Sequence, residues 1–247
     1  MVNNMSRLRC QYGEDEFLYE VIYLPKNQRK IAIHIHPNGA VQVDAPEGAE
    51  QTDIRQAVNK RARWVMKHLT DIQERQREVL PRQYVSGEGH FYLGRRHMLK
   101  VSHAPKSVPE VKLFRGRLNV TTQDKSPDAV RRLLWNWYRA HAKTIFQRRL
   151  DLLGSQIPWV RKFPPEIRLL TMKRQWGSCS SGGSIILNPH LVKAPRDCVD
   201  YVVLHELCHL QEHNHSPEFY RLLTQLLPEW QSVKAKLDNM SEILLNQ

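Results

Sequence analysis

The chain has 247 residues, of which 41% are hydrophobic, so it can bury the core of one large domain or two small ones without disulfide or metal staples. Its formal net charge of +12 favours an anionic partner, nucleic acid first, with a merely solvated basic surface as the equally weighted alternative. The four cysteines lack zinc-knuckle spacing and the density of a secreted disulfide scaffold. No window has the apolar run of a signal peptide or the roughly 20 apolar residues of a membrane span. We therefore expect reduced thiols and a soluble, cytoplasmic protein with no membrane partner.

The amino-terminal part alternates apolar and polar residues in the manner of half-buried strands, in the segments FLYEVIYL, KIAIHIH and AVQVDA. A Pro-Asn-Gly sequence at 37–39 predicts a hairpin turn between the last two segments. His34 and His36 share one face of a strand. A surface or sheet-packing role is favoured for them over metal binding, because no acidic or cysteine partner is near in sequence.

Residues 52–79 predict a long amphipathic helix. Its apolar stripe repeats at helical spacing, and basic residues occupy the opposite face. Residues 195–247 hold four basic and eight acidic side chains, a charge of −4, so residues 1–194 carry +16. The basic amino-terminal part is thus the expected contact for any nucleic-acid partner.

The middle of the chain predicts a hairpin through FYLGRRHMLKV, a hairpin through VKLFRGRLNVTT, and a helix that begins at Ser126-Pro127-Asp128. A hairpin followed by a helix thus occurs twice, at 30–79 and 111–150, which suggests a weak internal repeat. We predict a basic, β-rich part over residues 1–125 and a catalytic domain over residues 126–247. IRLLTMK and SIILN predict strands in the second part, on either side of a turn at 180–183.

HELCH, at 205–209, has the spacing of a metal-binding helix. His205 and His209 are four apart and can direct ring nitrogens at one ion, and Glu206 can reach a water molecule without binding the metal. The alternative is that the two histidines are buried and hydrogen-bonded to the backbone without a metal. It does not explain why the Glu206 carboxylate lies in an apolar helix. The pattern favours a metal site.

The third ligand depends on where this helix ends. In a continuous helix His213 would lie about 12 Å along the axis from His205, too far to share one tetrahedral centre. Asn214 favours a helix end and Ser216-Pro217 a helix start, so we place the break at 213–216 and choose His215 as the third ligand. Cys208 remains a conceivable soft ligand, with helix packing preferred.

Three imidazoles and a water molecule predict an open, catalytic Zn²⁺ site that performs amide hydrolysis with Glu206 as general base. Candidates for the group that stabilises the oxyanion are Tyr201, His213 and Tyr220. Two alternatives stay open. One is a metal-dependent hydrolase of phosphoanhydrides such as nucleotides, and the other is a metal-binding protein without turnover, against which Glu206 argues.

The run QWGSCSSGGSIILN, followed by APRDCVDYVVLHELCHLQEHNHSPEFY and LLPEW, resembles the YgjP-like metallopeptidases, relatives of the SprT and WLM zinc peptidases. YVSGEGHFYLGRRHMLKV extends the resemblance. It implies an α+β, zincin-like domain with an HExxH helix beside a small sheet, and zinc held by His205, His209 and His215 with Glu206 as the catalytic residue. It also implies a peptide or protein substrate that adds to the sheet edge, which we assign to SIILN, and SprT relatives suggest a nucleic-acid-associated variant. The family usually has Arg before W-G-S-C, where this chain has Gln175, with Arg174 one earlier.

Overall fold

The computed structural model describes residues 7–13, 15–24, 31–36, 38–78, 80–172, 175–180 and 182–246. Pro37, Val79 and Arg174, which the sequence predictions used, lie outside these ranges. The described part contains three sheets and six α-helices, which confirms the predicted α+β class. The chain divides into two compact units between Leu80 and Pro81.

The first unit is a four-stranded sheet followed by one long helix. Its strands are β1 (Arg7–Tyr12), β2 (Asp15–Leu24), β3 (Ala32–Ile35) and β4 (Val41–Pro46), in the order β1-β2-β4-β3. β3 and β4 form the predicted hairpin, with Ile35 opposite Val41. His34, on β3, pairs with Asp44, and His36, just after β3, bonds Gln42, in keeping with the predicted sheet-packing role.

Helix α1 (Gln51–Glu78) covers one face of this sheet, as the amphipathic pattern predicts. Alternate residues of the central strands point at it, because successive side chains of a strand lie on opposite faces. The buried contacts from the sheet are Phe17, Tyr19, Val21, Val41, Val43 and Ala45, and those from the helix are Ile54, Val58, Ala62 and Val65. The helix is held by this one stripe.

The second unit begins with the same arrangement. Its strands β5 (Gly89–Tyr92), β6 (Arg95–His103), β7 (Glu110–Phe114) and β8 (Arg117–Thr122) have the order β5-β6-β8-β7, and α2 (Pro127–Gly154) follows. In both sheets the first pair is antiparallel, the middle pair parallel and the last pair antiparallel. Each helix has 28 residues. The suspected repeat is therefore a complete unit of four strands and a helix.

The division at 80/81 differs from the predicted boundary at 125/126. Residues 81–125 form the sheet that packs on α2, and Leu99 and Leu118 share one core with Val130 and Leu134. The helix on which this sheet packs begins only after the predicted boundary. The assignment of separate roles to 1–125 and 126–247 stays a prediction.

A third, three-stranded sheet follows a short helix α3 (Pro158–Lys162). It consists of β9 (Ile167–Leu169), β10 (Gly177–Cys179) and β11 (Ile185–Leu187), in the order β10-β11-β9. The prediction that SIILN forms the sheet edge is wrong, since β11 pairs with β10 on one side and with β9 on the other. The apolar pattern of the sequence did not predict β10, because this strand has only three residues and one of them is a glycine.

The remaining elements are helical: a 3-10 turn (Pro189–Lys193), α4 (Arg196–His209), α5 (Pro217–Leu226) and α6 (Trp230–Leu245). α4 packs against α2, α5, α6 and β10 within one core. Within the described residues, no helix has the length and apolar character to cross a membrane.

Candidate active site

Helix α4 carries the HELCH sequence through the middle of the second unit. Nine of its 14 residues are buried, because other elements contact most of its circumference. Arg149 of α2 donates to both carboxylate oxygens of Asp200, with Nη2 at 2.8 Å from Oδ2, and so ties the two helices together. α4 lies beside the small sheet, which it contacts at β10.

The helix ends earlier than predicted. Its last residue is His209, and Leu210 and Gln211 form a turn in which their amides donate to the carbonyls of Leu207 and Cys208. The predicted end at 213–216 is therefore wrong, although α5 begins at Pro217 with Ser216 as its N-cap, as predicted. The reversal that follows α4 carries His215 back over the helix.

Three imidazoles converge at this reversal. The Nε2 atom of His205 lies 3.2 Å from that of His209 and 3.0 Å from that of His215. Within the described residues these three form the group of His, Cys, Asp or Glu side chains whose donor atoms all lie within 4.8 Å of one another. Cys208 is fully buried and His213 is exposed, and neither belongs to this group.

His205 and His209 have the protonation state that a metal ligand needs. His209 Nδ1 lies 2.9 Å from the carbonyl oxygen of Glu212, so Nδ1 is the donor and Nε2 keeps its lone pair. Burial lowers the pKa of His209, and burial together with His215 and His209 lowers the pKa of His205 well below its usual range. Both rings are therefore neutral near pH 7, which is the form that binds a metal.

Phe219 supports all three rings and was not predicted from the sequence. Its side chain is fully buried at the start of α5, with ring centroids 4.9 Å from His205, 4.5 Å from His209 and 4.8 Å from His215. The Ser216 hydroxyl accepts from its amide at 3.1 Å, which fixes the helix start. The only available signal was its position two residues after the Ser-Pro helix start.

The candidate oxyanion groups lie in different environments. Tyr220 is partly exposed, and its ring stacks with that of His215 at 6.1 Å and with that of Trp230 at 5.3 Å. Tyr201 is buried, one helical turn before His205, and its ring lies 5.8 Å from the imidazole. Burial raises the pKa of both phenols, so both hydroxyls remain protonated donors at neutral pH.

Glu206 is buried, with 4% of its surface exposed, and burial raises its pKa to about 8. Its side chain packs directly on the backbone of Gly177 in β10. A β-carbon placed on Gly177 would lie 2.5 Å from Glu206 Oε1 and 2.8 Å from Cγ. Only glycine permits this approach of strand to carboxylate.

We therefore expect Gly177→Ala to displace the Glu206 carboxylate while leaving the three histidines in place. Peptide hydrolysis should fall at least about 10-fold, because a displacement of a reacting group by about 1 Å can lower the rate about 100-fold. Metal content should stay at the wild-type value. The measurement is kcat beside elemental analysis, with Gly182→Ala as control, because a β-carbon there would lie 3.9 Å from the Ser180 hydroxyl, an ordinary contact and the nearest given by the described residues beyond its chain neighbours. Equal activity of the two variants would show that Glu206 has room to adjust.

Comparison with known proteins supports the chemical class of this site. Residues 29–240 match the model of the YgjP-like metallopeptidase domain, a span that includes the HELCH helix, His215 and most of both compact units. The chain belongs to this family. As a YgjP-like metallopeptidase it is a metal-dependent hydrolase that acts on peptides or proteins.

Two solved metallopeptidase zymogens are similar to part of the chain. That of Pyrococcus abyssi abylysin is 23% identical with a TM-score of 0.33, and the match covers 43% of this chain and 98% of abylysin. That of Methanocaldococcus jannaschii jannalysin is 24% identical with a TM-score of 0.31, and covers 39% of this chain and 92% of jannalysin. No curated protein matches the sequence significantly.

Proposed function

We propose that this YgjP-like metallopeptidase is a zinc peptidase in which His205, His209 and His215 bind the metal and Glu206 is the general base. The observation that supports this most directly is the convergence of the three Nε2 atoms, 3.0 and 3.2 Å from the central one. Three imidazoles without a fourth protein ligand are typical of catalytic zinc, since structural zinc normally has four protein ligands, mostly cysteines. The donor set therefore fits the metal that the family implies.

Zinc held by these histidines would supply a Lewis acid that polarises the peptide carbonyl and activates a water molecule. Glu206 then accepts the proton of the attacking water and transfers it to the amine that leaves. Burial raises the pKa of this carboxyl group, which makes its carboxylate a stronger base, and a bound cation would favour the ionised form.

The substrate we propose is an extended peptide that pairs with β10. One edge of β10 pairs with β11, and no strand pairs with its other edge in the part of the chain that the structure describes. An exposed edge offers backbone donors and acceptors to an added strand. Gly177 on this strand contacts Glu206, so a peptide at this edge would lie beside the proposed base.

The proposed setting is intracellular. All four cysteines are free, and Cys10, Cys198 and Cys208 are buried, which agrees with reduced thiols. Cytoplasmic location stays a prediction.

Removal of the metal provides the test. We expect about one zinc ion per chain by elemental analysis, cleavage of an unfolded protein substrate by the loaded enzyme, loss of cleavage after chelation, and recovery when zinc is returned. Wild-type protein that cleaves equally well without metal would contradict the proposal. Cleavage of nucleoside triphosphates without cleavage of peptides would also contradict the proposal, and would favour the alternative function of phosphoanhydride hydrolysis.

A further inference from the structure

Helix α1 carries a basic surface on the side away from its sheet. Its side chains border an open concavity of about 560 Å3, and we call them the Trp64 surface: Lys60, Arg61, Arg63, Trp64 and Lys67. All five are exposed. Since α1 is anchored by its opposite stripe, this surface is not needed to hold the helix on the sheet.

The aromatic member is unusually accessible. Trp64 keeps 41% of its surface exposed, and the ring of His68, one turn later, lies 4.6 Å away at a tilt of 43°. A large apolar ring gains free energy by burial, so an indole left in solvent among cations suggests that a partner covers it.

The charge of the surface is uncompensated over most of its length. Residues 54–70 include five basic side chains and no acidic one, and the first acidic residue beyond them is Asp71. Within the described part of the chain, none of the four cations of the Trp64 surface forms an ion pair. The surface is therefore complementary to a polyanion.

The repeat offers an internal comparison. Helix α2, the counterpart of α1, packs not only on its sheet but also against α4 and the 3-10 turn. In the first unit, the described elements that α1 packs on are the strands of its own sheet. The counterparts of the Trp64 surface on α2 are also largely exposed, but they include two cations where α1 has four, and no exposed tryptophan.

We propose that the Trp64 surface binds single-stranded nucleic acid, with Lys60, Arg61, Arg63 and Lys67 contacting phosphates and one unpaired base stacking on Trp64. An acidic peptide would satisfy the cations but would make no use of the indole. An anionic membrane requires several apolar side chains at the contact, and the exposed face of α1 offers one. Cations combined with an aromatic ring match the way proteins bind single strands without sequence preference.

The test is fluorescence anisotropy of the full chain with labelled DNA and RNA single strands of about 16 nucleotides. Four phosphate contacts predict that log Kd changes with log salt with a slope of about 3. Lys60→Glu with Lys67→Glu should weaken binding more than about 10-fold and lower that slope by about 1.4. Trp64→Ala should weaken binding by about 5- to 150-fold with the slope unchanged, because stacking releases no counterions.

Lys100→Glu with Lys106→Glu is the matched control, since it makes the same change of charge at exposed positions of the second unit. This control variant should bind the labelled single strands with nearly the affinity of the wild type. Any of four results would overturn the proposal. Two concern the variants: equal weakening of binding by the control and test variants, or no effect of Trp64→Ala. Two concern the ligand: tighter binding of duplex than of single strands, or binding to anionic vesicles but not to oligonucleotides. Peptide hydrolysis and zinc content should be unchanged in all these variants, so the result is independent of the proposed metal site.

Discussion

Glu206→Gln should abolish most peptide hydrolysis while the protein keeps its metal. The amide has the shape of the carboxylate and fits the same space against Gly177, but it cannot accept a proton from water. General base catalysis contributes about 10²- to 10⁴-fold, so kcat should fall by that factor. Zinc content should match the wild type, because the three histidines are untouched.

Glu212→Gln is the matched control for this variant. Its side chain accepts from Ser216 and its backbone carbonyl accepts from His209, and the substitution leaves that carbonyl in place. It should retain nearly full activity. Hydrolysis by Glu206→Gln at more than about a tenth of the wild-type rate would exclude Glu206 as the base.

His215→Ala should lose zinc, whereas His213→Ala should keep it. His215 Nε2 lies 3.0 Å from His205 Nε2, while His213 is exposed and lies outside the cluster. Loss of a group that merely supports a ligand costs about 10- to 100-fold in metal affinity, so loss of a ligand should cost at least about 100-fold. Titration with zinc under a competing chelator measures both affinities.

The two histidines are two residues apart and both exposed, so neither substitution should affect folding strongly. Thermal unfolding of the metal-free proteins checks this. Equal affinities in the two variants, or a greater loss in His213→Ala, would show that the third ligand has been misassigned.

The pairing of His205 with His209 was predictable because four residues of helix always bring side chains to one face. The choice of His215 over His213 was made from a helix end at 213–216; the helix ends at His209 instead, and it is His215 that lies beside His205 and His209. The position of that stop was predicted four residues too late. Leu210 and Gln211 end the helix through backbone bonds of its last turn, and such bonds leave no mark in residue type.

The sheet beside the helix was predicted less well. SIILN was recognised as a strand from its apolar run, but strand order depends on partners distant in sequence, and β11 proved central. Gly177 escaped attention because a glycine gives no hint of what approaches it. The internal repeat was visible only as two hairpins before helices, since the parallel pairing of β2 with β4 and of β6 with β8 joins segments that are not consecutive.

Local spacing, capping residues and amphipathic period therefore determined most of the elements and the spacing of the candidate metal ligands, because these depend on residues within one or two helical turns of each other. The tertiary structure alone decided which strand lies beside Glu206 and which ring supports the three histidines. Those outcomes depend on packing between segments far apart in the chain, where many partners of similar hydrophobicity compete and the sequence pattern does not distinguish them.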